Sequence, residues 1–314
     1  MNILITGIHG FVGTNLVNAL NTQHTIYGLD IVAPQKEGVV KTYTWAELEI
    51  IPAVDVVIHL AGKAHDTKNQ TNAQVYFDIN TGLTQKIYDW FLSSEAKKFI
   101  FFSSVKAAAD KVVGEILTEE IVPSPKGPYG ESKIKAEEYL ISHQSKEGNT
   151  SSGEQNTYIL RPCMIHGPGN KGNLNLLYKV VKQGIPYPLG AFENRRSFCS
   201  IDNLSFVISG LIEKEVANGI YNVGDDESLS TNELIALMAA AMGKPANIWK
   251  WNNALVQLVA KVGTVLHLPL NTERLQKLTE NYVVSNAKIK QALGVDKMPV
   301  RAEEGLRKTV NSFQ

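Results

Sequence analysis

"ILITGIHGFVGTNLVNAL" (residues 3–20) begins as an apolar run and then spaces glycines at 7, 10 and 13. The run reads as a buried strand, and "FVGTNLVNAL" reads as the helix that follows it. Each glycine has a physical task in such a strand–turn–helix. Gly7 permits the tight turn, Gly10 lets the backbone approach a pyrophosphate, and Gly13 lets the helix pack close to the sheet. The helix N-terminus then offers unpaired N–H groups and a positive dipole end to phosphates. A second apolar run ends at Asp30, seventeen residues after Gly13. A carboxylate there can accept hydrogen bonds from ribose hydroxyls and would repel a 2′-phosphate. Arginine does not follow it closely, and Lys36 is the nearest cation downstream. NAD is therefore expected rather than NADP.

The rhythm continues outward from this unit. "TIYGL" (25–29), "VDVVIHL" (54–60), "KFIFFS" (98–103) and "TYIL" (157–160) are continuous apolar runs, as strands covered on both faces should be. Helix-like stretches at 11–21, roughly 72–94, and 130–144 lie between them. The expected fold class is α/β, a doubly wound parallel sheet (Rossmann) with a smaller mixed α/β C-terminal substrate domain. Residues 1–162 are assigned to the dinucleotide-binding domain, with return segments around 197–224, and 163–196 and 225–314 to the substrate-binding portion. The polar stretch "SKEGNTSSGEQNT" (145–157) reads as a surface loop. The run "ALVQLVAKVGTVLHL" (254–268), broken by Gln, Lys and Gly, is expected to be a helix within a core.

Composition narrows the possible partners. Lys+Arg and Asp+Glu number 31 each over 314 residues, so no overall field favours nucleic acid or an anionic membrane. Cys163 and Cys199 lack metal-type spacing and fit a reducing cytoplasm, where the protein is expected to work without a metal. No leader is expected at "MNILITG", which has no basic start or cleavage site, and no apolar run nears the roughly 20 residues of a membrane span.

"SPKGPYGESKIKAEEYL" (124–140) raises a separate question. Pro128 suits a helix's first turn, whereas Gly130 is a poor helix former. Tyr129 lies between them with Lys133 four residues on, so phenol and ammonium share one helix face. Gly130 is expected to keep the space beside Tyr129 open.

With the glycine loop, "HLAG" (59–62), "SS" (103–104) and the Tyr129/Lys133 pair in this order, the sequence resembles the extended short-chain dehydrogenase/reductase family, and within it the NAD-dependent nucleotide-sugar epimerase/dehydratase group. The likeness continues through "LRPCMIHGPG" (160–169), "NRRSFCSIDNL" (194–204) and "YNVGDDESLSTNEL" (221–234) to "KIKQALGVDKMPVRAEEGLRKT" (288–309). "PYPLGAFENRRSF" looks most like enzymes of O-antigen and capsule synthesis that act on UDP-N-acetylhexosamines.

The resemblance implies Tyr129 as the catalytic acid/base, Lys133 as its partner, and Ser104, twenty-five residues before the tyrosine, as the third member. It implies cofactor contacts from Gly7, His9, Gly10, Phe11, Val12, Gly13, Asp30, Ile31, Leu60, Ala61, Gly62, Asn80 and Ser103, besides Tyr129 and Lys133. Substrate contacts are implied at Lys63, Ser104, Lys106, Tyr129, Asn173 and Arg196, the last on the nucleotide diphosphate. A free phenol ionises near 10, so a tyrosine base needs its pKa lowered by roughly three units, which a fixed cation can help supply. His59 is assigned to the sheet core, His166 receives no role, and Arg195 and Arg274 receive no firm one.

Departures from the group bear on the reaction. Val105 and Lys106 stand where sugar dehydratases carry an acidic pair, which argues against dehydration. Met164 replaces an asparagine common in 4-epimerases. Three readings stay open: a C4 epimerase of a UDP-hexose or UDP-N-acetylhexosamine, an NAD(P)H-dependent 4-ketoreductase of a UDP-4-keto-6-deoxy sugar, and a dinucleotide-binding redox sensor. The partners expected are a UDP-sugar and a second copy of the chain in a homodimer, with no nucleic acid and no membrane. Ile134, Leu140 and Ile141 offer the apolar face for that dimer.

Overall fold

A computed structural model describes residues 1–63, 72–144, 155–170, 172–266 and 271–313. In chain order its elements are β1 (Asn2–Thr6), α1 (Phe11–Leu20), β2 (Thr25–Asp30), β3 (Lys41–Thr44), β4 (Val56–His59), α2 (Ala73–Tyr76), α3 (Leu83–Ser93), β5 (Lys98–Phe102), α4 (Val105–Ala108), α5 (Pro128–His143) and β6 (Asn156–Pro162). There follow β7 (Met164–His166), α6 (Asn173–Lys182), β8 (Phe198–Ser200), α7 (Ile201–Glu213), β9 (Gly219–Val223), α8 (Thr231–Ala241), α9 (Asn253–Val265), α10 (Thr272–Thr279), α11 (Ala287–Leu293) and α12 (Ala302–Asn311). Most of the expected 145–157 loop lies outside the described residues.

Seven strands form one sheet in the order β3-β2-β1-β4-β5-β6-β9, every neighbouring pair parallel. The order reverses between β1 and β4, and ligands bind such sheets in the crevice beyond the strand ends at that reversal. There Thr6 and His59 are partners in register, followed by the glycine turn on one side and Leu60–Gly62 on the other. The two cores follow from burial on both faces. Ile3, Ile5, Val56, Ile58 and Ile100 face α1 and α7, while Leu4, Val57, Phe99, Phe101 and Ile159 pack with Ile87, Phe91 and Leu140.

His59 is fully buried, as expected. Its Nδ1 lies 2.7 Å from the Thr6 hydroxyl and its Nε2 2.9 Å from the Thr84 hydroxyl. Thr84 itself donates to the Asn80 carbonyl, and Thr6 Oγ1 accepts the Ala61 N–H. Burial and the nearby Lys133 hold the imidazole pKa well below its ordinary value, so the ring is neutral. This chain of bonds fixes the strand ends that frame the crevice.

The helical stretch at 72–94 is not one regular helix. A π-helical turn, Phe77–Gly82, separates α2 from α3 and turns Asn80 fully inward. Helical periodicity alone could not announce this, because the wide turn exists to serve contacts made by Asn80. Beyond β6 a second, two-stranded parallel sheet of β7 and β8 leads the chain away, and α7 and β9 bring it back to the main sheet. Strands β3 and β9 had no expected counterpart. Of the proposed dimer face, Leu140 is fully buried in the chain's own core, leaving Ile141 at 49% exposure and a partly buried Ile134.

Candidate active site

The glycine turn is built as its spacing requires. Gly7 has φ of +66°, in the left-handed region, and its N–H donates to Leu29 O at 2.8 Å. A β-carbon on Gly13 would lie 2.7 Å from the Gly7 carbonyl oxygen, so α1 can approach the turn only without one. Asp30 completes the rim, its carboxylate accepting the N–H groups of His9 at 3.1 Å and Ile31 at 2.8 Å. Ile31 is exposed at this edge, and His9 Nε2 is buried without a hydrogen-bond partner among the described residues. These groups suit a dinucleotide: an open helix N-terminus for the pyrophosphate, and a fixed carboxylate at the end of β2 for a ribose.

Across the reversal, Asn80 locks the loop after β4 by accepting the Lys63 N–H at 2.7 Å and donating to its carbonyl at 3.2 Å. It also donates to Ser132 Oγ on α5 at 2.9 Å. A β-carbon on Gly62 would meet Asn80 Oδ1 at 2.9 Å and Lys133 Nζ at 3.2 Å. Asn80, Gly62 and Lys133 thus converge at one point.

Helix α5 carries the remaining chemistry. Lys133 is buried, donates to the Phe102 carbonyl at 2.7 Å, and lies 4.9 Å above the Phe101 ring. Burial lowers its pKa to about 8, with Glu137 partly opposing the fall. Tyr129 is hydrogen-bonded to Ser104 and meets the Tyr76 ring edge-on at a 6.4 Å centroid distance. The sequence reading asked for a depressed phenol pKa, and the chain alone gives the opposite. Burial pushes it up, and Tyr76 adds to the rise against the pull of the Ser104 hydrogen bond. Desolvation outweighs the lowering effect of that hydrogen bond.

Ser103 and Ser104 diverge. Ser104 caps α4, its hydroxyl accepting the Lys106 N–H at 3.2 Å, while Ser103 donates to Glu137. Gly130 serves a backbone contact besides the space expected beside Tyr129. A β-carbon there would lie 2.5 Å from the Lys106 carbonyl and 2.9 Å from Pro125 Cβ, so the glycine lets α5 touch the α4 backbone. Gly130→Ala is expected to cost about 1–3 kcal/mol of stability through overpacking. A lowered urea midpoint would show it, and an unchanged midpoint would contradict the close contact.

These groups face a cavity of about 510 Å³ whose lining includes Phe11, Val12, Leu60, Gly62, Lys63, Ser103, Ser104, Lys106, Tyr129, Lys133 and Arg196. Lys106 is held by the Asp110 carbonyl at 2.7 Å and lies 4.3 Å over the Tyr282 ring; burial lowers its pKa. Arg196 donates through Nη2 to the Lys277 carbonyl and keeps a buried Nε without a partner among the described residues. Its neighbour Arg195 turns outward to the Ser228 carbonyl and Glu233. Asn173 opens α6, next to Gly172 of the lining. The Arg274 backbone N–H is capped by Asn271, and the residue is absent from the lining.

Sequence reading missed Tyr282 and Glu280, which reach the cavity from the far end of the chain, and Cys163 as a lining residue; Met164, singled out in the sequence, lines it too. It also missed Glu137, fully buried under the site, whose carboxylate is bound by Arg161 Nε at 3.0 Å and Nη2 at 2.5 Å. The signal for Glu137 was present: a carboxylate four residues beyond Lys133, on the same inward face.

Comparison with known proteins places this geometry. Residues 3–224 match the family model of the NAD dependent epimerase/dehydratase family. A UDP-glucose 4-epimerase of Vibrio cholerae is 30% identical over 331 aligned positions, covering 99% of this chain and 95% of that protein. An N-acetyl-α-D-glucosaminyl-diphospho-ditrans,octacis-undecaprenol 4-epimerase of Escherichia coli O157:H7 is 29% identical over 77% of this chain and 73% of its own length. Among solved structures, a UDP-glucuronic acid 4-epimerase from Bacillus cereus in complex with NAD superposes with a TM-score of 0.73 at 20% identity, covering 100% of this chain and 98% of that one. The last likeness is one of fold.

Proposed function

This chain belongs to the NAD-dependent epimerase/dehydratase family, and from that premise we propose that it is a UDP-sugar 4-epimerase acting on a UDP-hexose or UDP-N-acetylhexosamine. The observation that carries the reading is the convergence of Ser104, Tyr129 and Lys133 on one cavity that Phe11 and Val12, at the start of the helix after the glycine turn, also line. When bound, NAD supplies a hydride acceptor and donor, and in its oxidised form a positive charge beside the phenol.

The chain's own part is proton handling and orientation. Tyr129 takes the proton of the sugar's C4 hydroxyl as that carbon is oxidised to a ketone, and returns it when the ketone is reduced from the other face. Ser104 hydrogen-bonds the same oxygen and keeps it within reach of Tyr129. Lys133, one helical turn on, supplies a cation close to the phenol. Arg196, whose buried Nε–H has no partner among the described residues, would grip the diphosphate, for which a planar guanidinium is suited. Lys63, Lys106 and Asn173 would contact the sugar and nucleotide. Residues 163–196 and 225–314 form the substrate-facing portion in this reading, and two copies pair through α3 and α5.

One feature favours the second reading, a 4-ketoreductase: Met164 lines the cavity where an asparagine is common in 4-epimerases. Incubation with UDP-N-acetylglucosamine separates the two. An epimerase yields UDP-N-acetylgalactosamine, followed by proton NMR, without net change in cofactor. Consumption of added NADH with a UDP-4-keto-6-deoxy sugar, and no epimer from any UDP-hexose, would overturn the proposal in favour of reduction.

A further inference from the structure

The run at 254–268 was expected within a core, and its described part, to Leu266, is not. Only Val256, Ala260 and Gly263 of α9 face inward, packed near Leu189 and Leu275. Leu255, Leu258, Val259, Val262, Val265 and Leu266 form an opposite stripe, with Leu258 at 58%, Val262 at 47% and Val265 at 76% exposure. At 100° per residue these six positions span roughly 120° of the helix surface, an unbroken apolar band. Just ahead of it, exposed Trp249 and Trp251 stack at 6.2 Å.

Charge decides what covers this face. The whole chain is neutral, yet residues 155–192 and 234–272 contain no aspartate or glutamate. The two stretches are bound together: Tyr187 N–H donates to Asn247 O at 2.9 Å, and Trp249 N–H donates to Tyr187 O at 2.8 Å. Exposed Lys179, Lys182, Lys244, Lys250 and Lys261 therefore belong to one connected segment without a carboxylate of its own. A second copy meeting this surface face to face would oppose lysine to lysine. Apolar side chains, paired indoles and exposed lysines are the chemistry of a helix lying in a bilayer interface, its apolar face in the acyl boundary and its cations among anionic headgroups.

We propose that the exposed face of α9, with Trp249 and Trp251, docks this chain on an anionic lipid bilayer surface. The attachment is peripheral, since among the described residues no helix is long and apolar enough to cross a membrane. It revises the expectation of no membrane partner and is independent of which sugar is turned over.

Co-sedimentation with vesicles tests it directly. The full chain is expected to bind phosphatidylglycerol/phosphatidylcholine vesicles at least tenfold more than phosphatidylcholine alone, with a blue shift of indole emission and weakening in high salt. Leu258→Gln with Val262→Gln, both about half exposed, should lose at least tenfold of that binding while thermal unfolding stays unchanged. Lys250→Gln with Lys261→Gln should erase the preference for anionic lipid. Absence of binding, equal binding to neutral vesicles, or indifference to both double variants would overturn the proposal. So would light scattering showing that the apolar double variant turns a dimer into monomers without affecting vesicle binding, because a second copy would then cover the face.

Discussion

Tyr129→Phe is expected to reduce turnover by roughly a thousandfold, within the 10²–10⁴ range for loss of a positioned general acid/base. Phenylalanine keeps everything but the phenol oxygen. The ring still meets Tyr76 edge-on, and α5 still opens with Pro128, so fold and cavity shape survive. The only loss is the oxygen that hydrogen-bonds Ser104 and would exchange a proton with the sugar. NAD affinity should change little, since Asp30, the glycine turn and Lys133 remain in place. Steady-state rates beside a cofactor titration check both halves. A variant within tenfold of the normal rate would remove Tyr129 from the chemistry.

Glu137→Ala is expected to cost about 3–5 kcal/mol of stability, the usual consequence of stranding one partner of a buried ion pair. Glu137 and Arg161 have side chains 0% and 1% exposed, and Arg161 Nη1 already has no partner among the described residues. Removing the carboxylate leaves a guanidinium buried without a counter-charge and takes the acceptor from Ser103. Replacing both residues, Glu137→Leu with Arg161→Met, should recover most of the loss, because paired apolar substitutes avoid the desolvation that the ions suffer. Urea denaturation of the two variants reads the difference. A single variant that loses less than about 1 kcal/mol, well below the range for a broken buried pair, would show that water reaches Arg161.

What was legible in the sequence was what local pattern determines. The continuous apolar runs of β1, β2, β4, β5 and β6 announced strands buried on both faces, and Gly7, Gly10 and Gly13 announced the turn between β1 and α1. Edge strand β3 reads KTYT, with no continuous apolar run, β7 and β8 have three residues each, too few to form a pattern, and β9 follows a break in the βα rhythm. Tyr129, Lys133 and Ser104 were singled out through the family resemblance, with helical spacing putting the first two on one face, and all three line one cavity. Tyr282 and Glu280 were not, because their place in the cavity depends on backbone pairing of Tyr282 with Arg196 and Ser197 across more than eighty residues of sequence. The approach of Gly130 to the Lys106 backbone was not legible, because it depends on where α4 packs against α5. The α9 run shows the limit most plainly: apolar content does not say which face is buried, and here the small residues went inward while the large ones stayed out.

In the proposed reaction Tyr129 moves a proton as the sugar's C4 is oxidised and then reduced at one cavity, with NAD as the group that would supply the hydride chemistry. The most direct measurement is absorbance near the reduced-nicotinamide band after NAD-loaded protein is mixed with UDP-N-acetylglucosamine or UDP-glucose in a single turnover. The expected result is a transient rise that decays as the epimer forms, slowed together in both phases by Tyr129→Phe. No rise with any UDP-hexose, or a rise that Tyr129→Phe leaves at its normal rate, would contradict it.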